Sequence, residues 1–165
     1  MRQVAGALVA VLLIVTLIVA LPAFAVDPGH AEGTLTIDNT KIPLNYAYAI
    51  GRQKNLLNDR KELTRIILTD KPLPADAKLT DLDDNLPGDL NGVILCVDKL
   101  GRVGHVAVQH PTGNYDGGYF EGIADYDFKP HKGESGTYSG TTSSLRVKTN
   151  TMTFSFEATF VASLK

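Results

Sequence analysis

The sequence predicts an all-β fold: an antiparallel β-sandwich, or a partly open barrel, of about 7–9 strands with one short helix, behind an N-terminal signal peptide. Three observations predict it. From Thr151 to Leu164 the chain alternates, with Met152, Phe154, Phe156, Ala158, Phe160, Ala162 and Leu164 on even positions and mostly polar residues between them. A helix would scatter the three phenylalanines around its circumference, whereas a strand sets them on one side. Short alternating segments recur through the rest of the chain between Gly-, Pro-, Asn- and Asp-containing turns, and no sustained helical period accompanies them.

The elements follow in order. Arg2 is a short positive region, Val4 to Leu21 is uncharged, Pro22 breaks a helix, and Ala23-Phe24-Ala25 offers the small residues a signal peptidase needs. An uncleaved membrane anchor competes with cleavage, because the apolar run is near the lower limit for a span. The division is then residues 1–25 signal peptide, 26–32 flexible leader and 33–165 a single β-sandwich domain, exported to the periplasm or the medium. Thr34 to Ile37 and Lys41 to Ile50 form a first hairpin across the turn Asp38 to Lys41. In its second strand Ile42, Leu44, Tyr46, Tyr48 and Ile50 share a face. Glu62 to Asp70 is a further strand, and Pro74 to Leu82 is the short helix, with Pro74 near its start. Gly92–Asp98, Arg102–Gln109 and Tyr119–Phe128 are strong strand candidates; Ser135–Thr141 and Ser144–Lys148 are weaker. The terminal strand is long enough that a bend or bulge is expected in it.

Three stretches, "GTLTID" (Gly33 to Asp38), "LNYAYA" (Leu44 to Ala49) and "IILTDKPLP" (Ile66 to Pro74), together with the ending "FEATF" (Phe156 to Phe160), resemble a group of exported bacterial proteins with no assigned activity. The resemblance implies a bacterial envelope or secreted β-domain and carries over no catalytic residues. The turn "DNTK" departs from it by lacking a glycine.

Composition narrows function further. A net charge of −2 with scattered basic residues leaves no footprint for nucleic acid. Cys96 is the single cysteine, so no intrachain disulfide staples the fold. In "VILCVD" it reads as a buried, inert thiol. Gly-x-Ser-x-Gly, phosphate-loop, His-Glu-x-x-His and Cys-x-x-Cys patterns are absent, and no cofactor motif appears.

The remaining candidates are histidines, carboxylates and tyrosines. His105 and His110 are an odd number apart, so a regular strand turns them to opposite faces. "DKLGR" (Asp98 to Arg102) has Asp and Gly where a three-residue hairpin loop needs them, which pairs Asp98 with Arg102 and sets His105 opposite Leu95. A four-residue loop would instead set His105 opposite Cys96, the beginning of a soft-metal site. Asp125 and Asp127 share a strand face and could take a hard cation, though a solvated face reads the same way. In "DLDDNLPGDLNG" Asp81, Asp83 and Asn85 match a calcium loop, but Leu86 and Gly92 stand where Gly and Glu are required. "GNYDGGYFEG" sets Tyr115 and Tyr119 among glycines, as in a recognition loop. The expected function is a non-enzymatic exported domain binding a protein or small ligand, with Tyr115 and Tyr119 as ligand contacts. Membrane contact is expected only through an uncleaved N-terminal segment. The alternative is a metal-binding protein or metal-dependent enzyme using His105 with Cys96, His110 or His131.

Overall fold

The computed structural model describes residues 26–55, 58–77, 85–98, 100–117, 126–131 and 135–164, with residues 52–55 and 58–62 described by their backbone alone. The strands are β1 (His30–Ile37), β2 (Thr40–Asn55), β3 (Asn58–Thr69), β4 (Gly92–Asp98), β5 (Val103–His110), β6 (Gly113–Asp116), β7 (Tyr126–His131), β8 (Thr137–Ser144), β9 (Val147–Lys148) and β10 (Thr153–Leu164). The all-β class stands, but the strands do not divide into two packed sheets. They form one continuous sheet in the order β6-β5-β4-β3-β2-β1-β10-β8-β7, with β9 on the start of β10. The reason lies in β1, which pairs antiparallel with β2 on one side and with β10 on the other. That joins the N-terminal hairpins to the C-terminal strands without a break.

The sheet curls into a half-barrel. Its two edges face each other through side chains: the Tyr126 hydroxyl donates to the Tyr115 hydroxyl at 3.5 Å, and Gly101 lies against Pro130. Leu35, Leu44, Ile66, Leu68, Val93, Leu95, Val97, Phe154 and Phe160 fill the inside, each shielded from solvent. Burying each of them stabilises by about 1.5–3 kcal/mol. Phe128 adds its ring 6.1 Å from Phe160 and 5.9 Å from Tyr138. A smaller cluster covers part of the outside. There the β3–β4 connection lays Leu86 and Leu90 over Ile50, Ile67, Ile94 and Ala107. Gln109 fastens it, accepting from the Leu86 N–H at 2.6 Å and donating to the Leu86 carbonyl at 2.9 Å.

Several expectations change. The segment 26–32 is not a free leader: β1 begins at His30, Val26 is buried, and the Gly29 N–H donates to the Val161 carbonyl. The overhanging ends of β2 and β10 capture this backbone. Of the helix expected over Pro74 to Leu82, Pro74 to Ala77 form a single turn closed by the Ala77 N–H on the Pro74 carbonyl, and the remainder lies outside the described residues. β2 does not keep one face. Ile42 and Leu44 point inward, as do Ala47 and Ala49, while Tyr48 and Ile50 join the outer cluster. The change of side falls where the β1 register shifts. β10 needs no bulge: its burial alternates from Thr153 to Ser163, with Leu164 exposed at its end, and its pairings with β1 and β8 stay in register.

The glycine missing from the first turn is replaced by two residues that tolerate the left-handed region. Asp38 (φ 48°) and Asn39 (φ 90°) connect the pair Ile37 and Thr40. Asp38 then ties the turn to β10, its N–H donating to the Thr153 carbonyl and its carboxylate accepting from the Thr153 N–H, both at 2.8 Å. At the other end β2 and β3 outrun the sheet. β4 pairs with β3 only from Leu63 to Thr69, yet β2 and β3 continue to the pair Asn55 and Asn58 as a two-stranded arm.

Candidate functional site

The β4–β5 hairpin turns as its sequence requires, but the register beyond the turn is different. The Asp98 N–H donates to the Arg102 carbonyl and the Gly101 N–H to the Asp98 carbonyl, with Gly101 at φ 77°. The Asp98 carboxylate accepts from the Leu100 and Arg102 N–H groups and from the Arg102 guanidinium. Burial pushes that carboxyl up, but these donors outweigh it and hold it below the ordinary carboxylate range. Val97 pairs with Val103, and then the register slips by one residue, so that Cys96, not Leu95, stands opposite His105. Gly104 is the extra residue. A bulge there keeps both Val103 and Val106 inside and turns His105 outward.

His105 is fully buried all the same, and its Nε2–H donates to Asp116 Oδ1 at 2.8 Å. Arg65 is the other cross-strand neighbour of Cys96, and both are buried. Arg65, Cys96 and His105 thus form one row across β3, β4 and β5 on the outer face. His110 points the other way, as the odd spacing predicts. Its Nδ1 accepts from the Thr112 N–H and lies 2.7 Å from Thr112 Oγ1. His131 ends β7 in an exposed position, away from this row. Among the described residues, no three His, Cys, Asp or Glu side chains gather to hold a metal ion.

Asp127 is exposed on β7 and pairs with Lys129 at 3.3 Å; Asp125 lies outside the described residues. So do Tyr119 and Asp81 to Asp84; Leu86, beyond them, packs in the outer cluster. Tyr115 is not a free recognition ring. It points inward, half-buried, with its centroid 4.9 Å from that of Phe154. Pairing Val108 with Tyr115 gives it the inward face that Val108 already occupies.

A different surface emerges from the topology. On the outer face of β1, β10, β8 and β7 lies an open groove of ≈ 510 Å³. Two rows of side chains cross it. The pairings place Thr34, Glu157, Ser143 and Asp127 in one, and Glu32, Thr159, Thr141 and Lys129 in the other. Every position is the polar half of an alternating strand, whose other half fills the core. Among the described residues, Glu32 and Glu157 have no ion-pair partner, and three carboxylates face the single ammonium of Lys129. Hydroxyls and carboxylates in parallel rows can accept several hydrogen bonds from one extended ligand. The signal available in the sequence was Ser155, Glu157 and Thr159 on the odd face of β10, but nothing in it indicated which strands flank them.

Compared with protein-family models, with curated proteins and with solved structures, the chain matches none of them.

Proposed function

We propose that this chain is an exported, non-enzymatic binding domain whose ligand lies along the groove across β1, β10, β8 and β7. The observation that carries the reading is the pair of polar rows, in which Glu32, Glu157 and Asp127 outnumber Lys129 on a surface four strands wide. Such a lining favours a ligand rich in hydrogen-bond donors and positive in charge, such as an amine- or guanidinium-bearing chain. The ligand has to lie outside, because phenylalanines and aliphatic side chains fill the inside of the curl.

Tetralysine and a neutral tetrasaccharide are suitable probes. Titration of the isotope-labelled protein with tetralysine is expected to shift backbone resonances of Glu32, Thr34, Thr141, Ser143 and Glu157, and added salt to weaken the effect. Glu157→Gln should weaken it further. Shifts confined to other residues, or none with either probe, sink the reading.

A soft-metal protein is the second reading, on the observation that Cys96 stands opposite His105. Two ligands are half of what a closed site takes. Elemental analysis of protein purified without a histidine tag decides it: no stoichiometric zinc or copper ends the reading.

A further inference from the structure

We propose that Asn91–Gly92 is a self-modification site: Asp70 keeps it in the amide form while the β3–β4 connection is latched, and its deamidation unlatches that connection permanently. An asparagine followed by glycine is the pair most open to this reaction, because glycine has no side chain to hinder its nitrogen from reaching the neighbouring amide carbon. The fold needs both residues. A Cβ at position 92 would run into the Leu68 carbonyl oxygen and stand 2.6 Å from Leu86 Cδ1, so only glycine fits between β3 and the outer cluster. Position 91 needs an amide because Asp70 grips it twice. The Asn91 N–H donates to Asp70 Oδ1 at 3.0 Å, and Asn91 Nδ2 donates to Asp70 Oδ2 at 2.6 Å. The Asp70 N–H in turn donates to the Asn91 carbonyl at 3.1 Å, which closes the base of the connection. Asn91 Oδ1 is buried and has no hydrogen-bond partner among the described residues.

The latch holds the reacting atoms apart. Gly92 is paired with Thr69 on one side and Gln109 on the other, and the Asn91 amide is turned onto Asp70. Attack needs the Gly92 nitrogen to swing onto Asn91 Cγ, which requires the latch to open. The nitrogen then bonds to Cγ, the Cγ–Nδ2 bond breaks, and the Gly92 proton leaves with the amide nitrogen as ammonia. Water opens the resulting five-membered imide at either carbonyl, leaving aspartate or isoaspartate at position 91. Neither product restores the latch. Aspartate sets an acceptor against the Asp70 carboxylate in place of the donor at 2.6 Å, and like charges so close repel. Its charge also reaches the buried position where Oδ1 stands without a donor. Isoaspartate adds a methylene to the backbone and displaces the N–H that Asp70 holds. What remains to hold the connection is the Tyr48 hydroxyl, which accepts from the Leu73 N–H at 3.0 Å, and Gln109 on Leu86. Leu86 and Leu90 cover the outer cluster from this connection, so conversion loosens their cover over Ile50, Ile67, Ile94 and Ala107. The groove across β1, β10, β8 and β7 takes no part in it.

The protein is kept at mildly alkaline pH, folded or in guanidinium chloride, and sampled over days. Mass spectrometry follows the tryptic peptide that runs from after Lys78 to Lys99, in which Asn85 is the internal reference. In guanidinium Asn91 is expected to convert well ahead of Asn85, and in the folded protein its conversion should slow about tenfold or more. Asp70→Ala removes a charged acceptor of two bonds, so conversion in its folded form should speed up about tenfold or more, with the far-UV circular dichroism of the parent. Asn91→Asp, the reaction product, should lower the hydrogen-exchange protection of the Leu73 and Leu86 N–H groups about tenfold. Asp70→Asn/Asn91→Asp, which puts an amide back across the pair, should recover most of that protection. Equal rates in the folded and denatured parent, an unchanged rate in folded Asp70→Ala, or parental protection in Asn91→Asp overturns the proposal. If Asp70→Ala does not fold, the exchange measurements on Asn91→Asp and the double variant decide.

Discussion

Gly33→Ala adds a single methyl group where β1 and β10 come closest. Built on the present backbone, that Cβ stands 2.5 Å from Ala158 Cβ and 2.5 Å from the Glu157 carbonyl oxygen, where ordinary contact begins at 3.4 Å. β1 cannot simply shift away, because Gly33 is also paired with Leu44 of β2. Overpacking of this kind costs about 1–3 kcal/mol, and a weakened ladder bond adds about 0.5–1.5 kcal/mol. The stiffer unfolded chain returns about 0.4–1 kcal/mol. The net loss is about 0.5–4 kcal/mol, a fall in Tm of roughly 2–14 °C for a domain of this size. Gly51→Ala is the matched control, since its added methyl meets only Leu164 Cδ2 at 3.8 Å. It should leave stability unchanged or raise it by about 0.5 kcal/mol. Urea unfolding followed by circular dichroism and tyrosine fluorescence measures both, the chain having no tryptophan. If Gly33→Ala is as stable as the parent, or both variants shift alike, the close β1–β10 approach is wrong, and with it the alignment of the groove rows.

Three further outcomes are expected. Phe160→Ala empties a fully shielded site beside Phe128 and should cost about 3–5 kcal/mol in the same urea experiment, whereas a loss under about 1 kcal/mol would mean the ring is not enclosed. Asn39→Gly removes a side chain from a residue at φ 90° and should stabilise by about 0.5–1 kcal/mol, read as a higher urea midpoint at unchanged slope. Asp98 titrates below its ordinary value in the fold, so its stabilisation is present above the unfolded carboxylate range and is lost as pH falls through the lower folded value. Asp98→Asn should therefore cost about 1–2 kcal/mol at neutral pH and flatten the acid end of the stability–pH profile; an unchanged profile refutes the role given to Arg102 and Leu100.

Legibility in the sequence was uneven, and particular residues show why. The inward face of β10 could be read from Met152 to Ala162, because a strand buried on one face repeats with period two, although Leu164 is exposed and the expected bend or bulge is absent. Gly92–Asp98 could be read to the residue, because a continuous apolar run ends at an Asp that caps its own turn. The turn after it was legible too. The facing of His105 was not, because a bulge at Gly104 is a choice made between two strands, and the local pattern "VGHVAV" satisfies either register. The setting of Tyr115 was not legible for a related reason. Glycine-flanked aromatics suggest an open loop, but β6 pairs with β5 and turns that ring onto Phe154.

By themselves the residues determined the class of the fold, the turns at Asp38–Asn39 and Asp98–Arg102, and the inward set of β10, since each depends on alternation and backbone preference within a few positions. Tertiary structure alone decided that the strands close into one curled sheet, that β1 lies between β2 and β10, and that Glu32, Glu157, Ser143 and Asp127 share a groove. Those outcomes join residues more than a hundred positions apart. Which strand edge pairs with which depends on how all the apolar faces are buried together, and no local pattern carries that information.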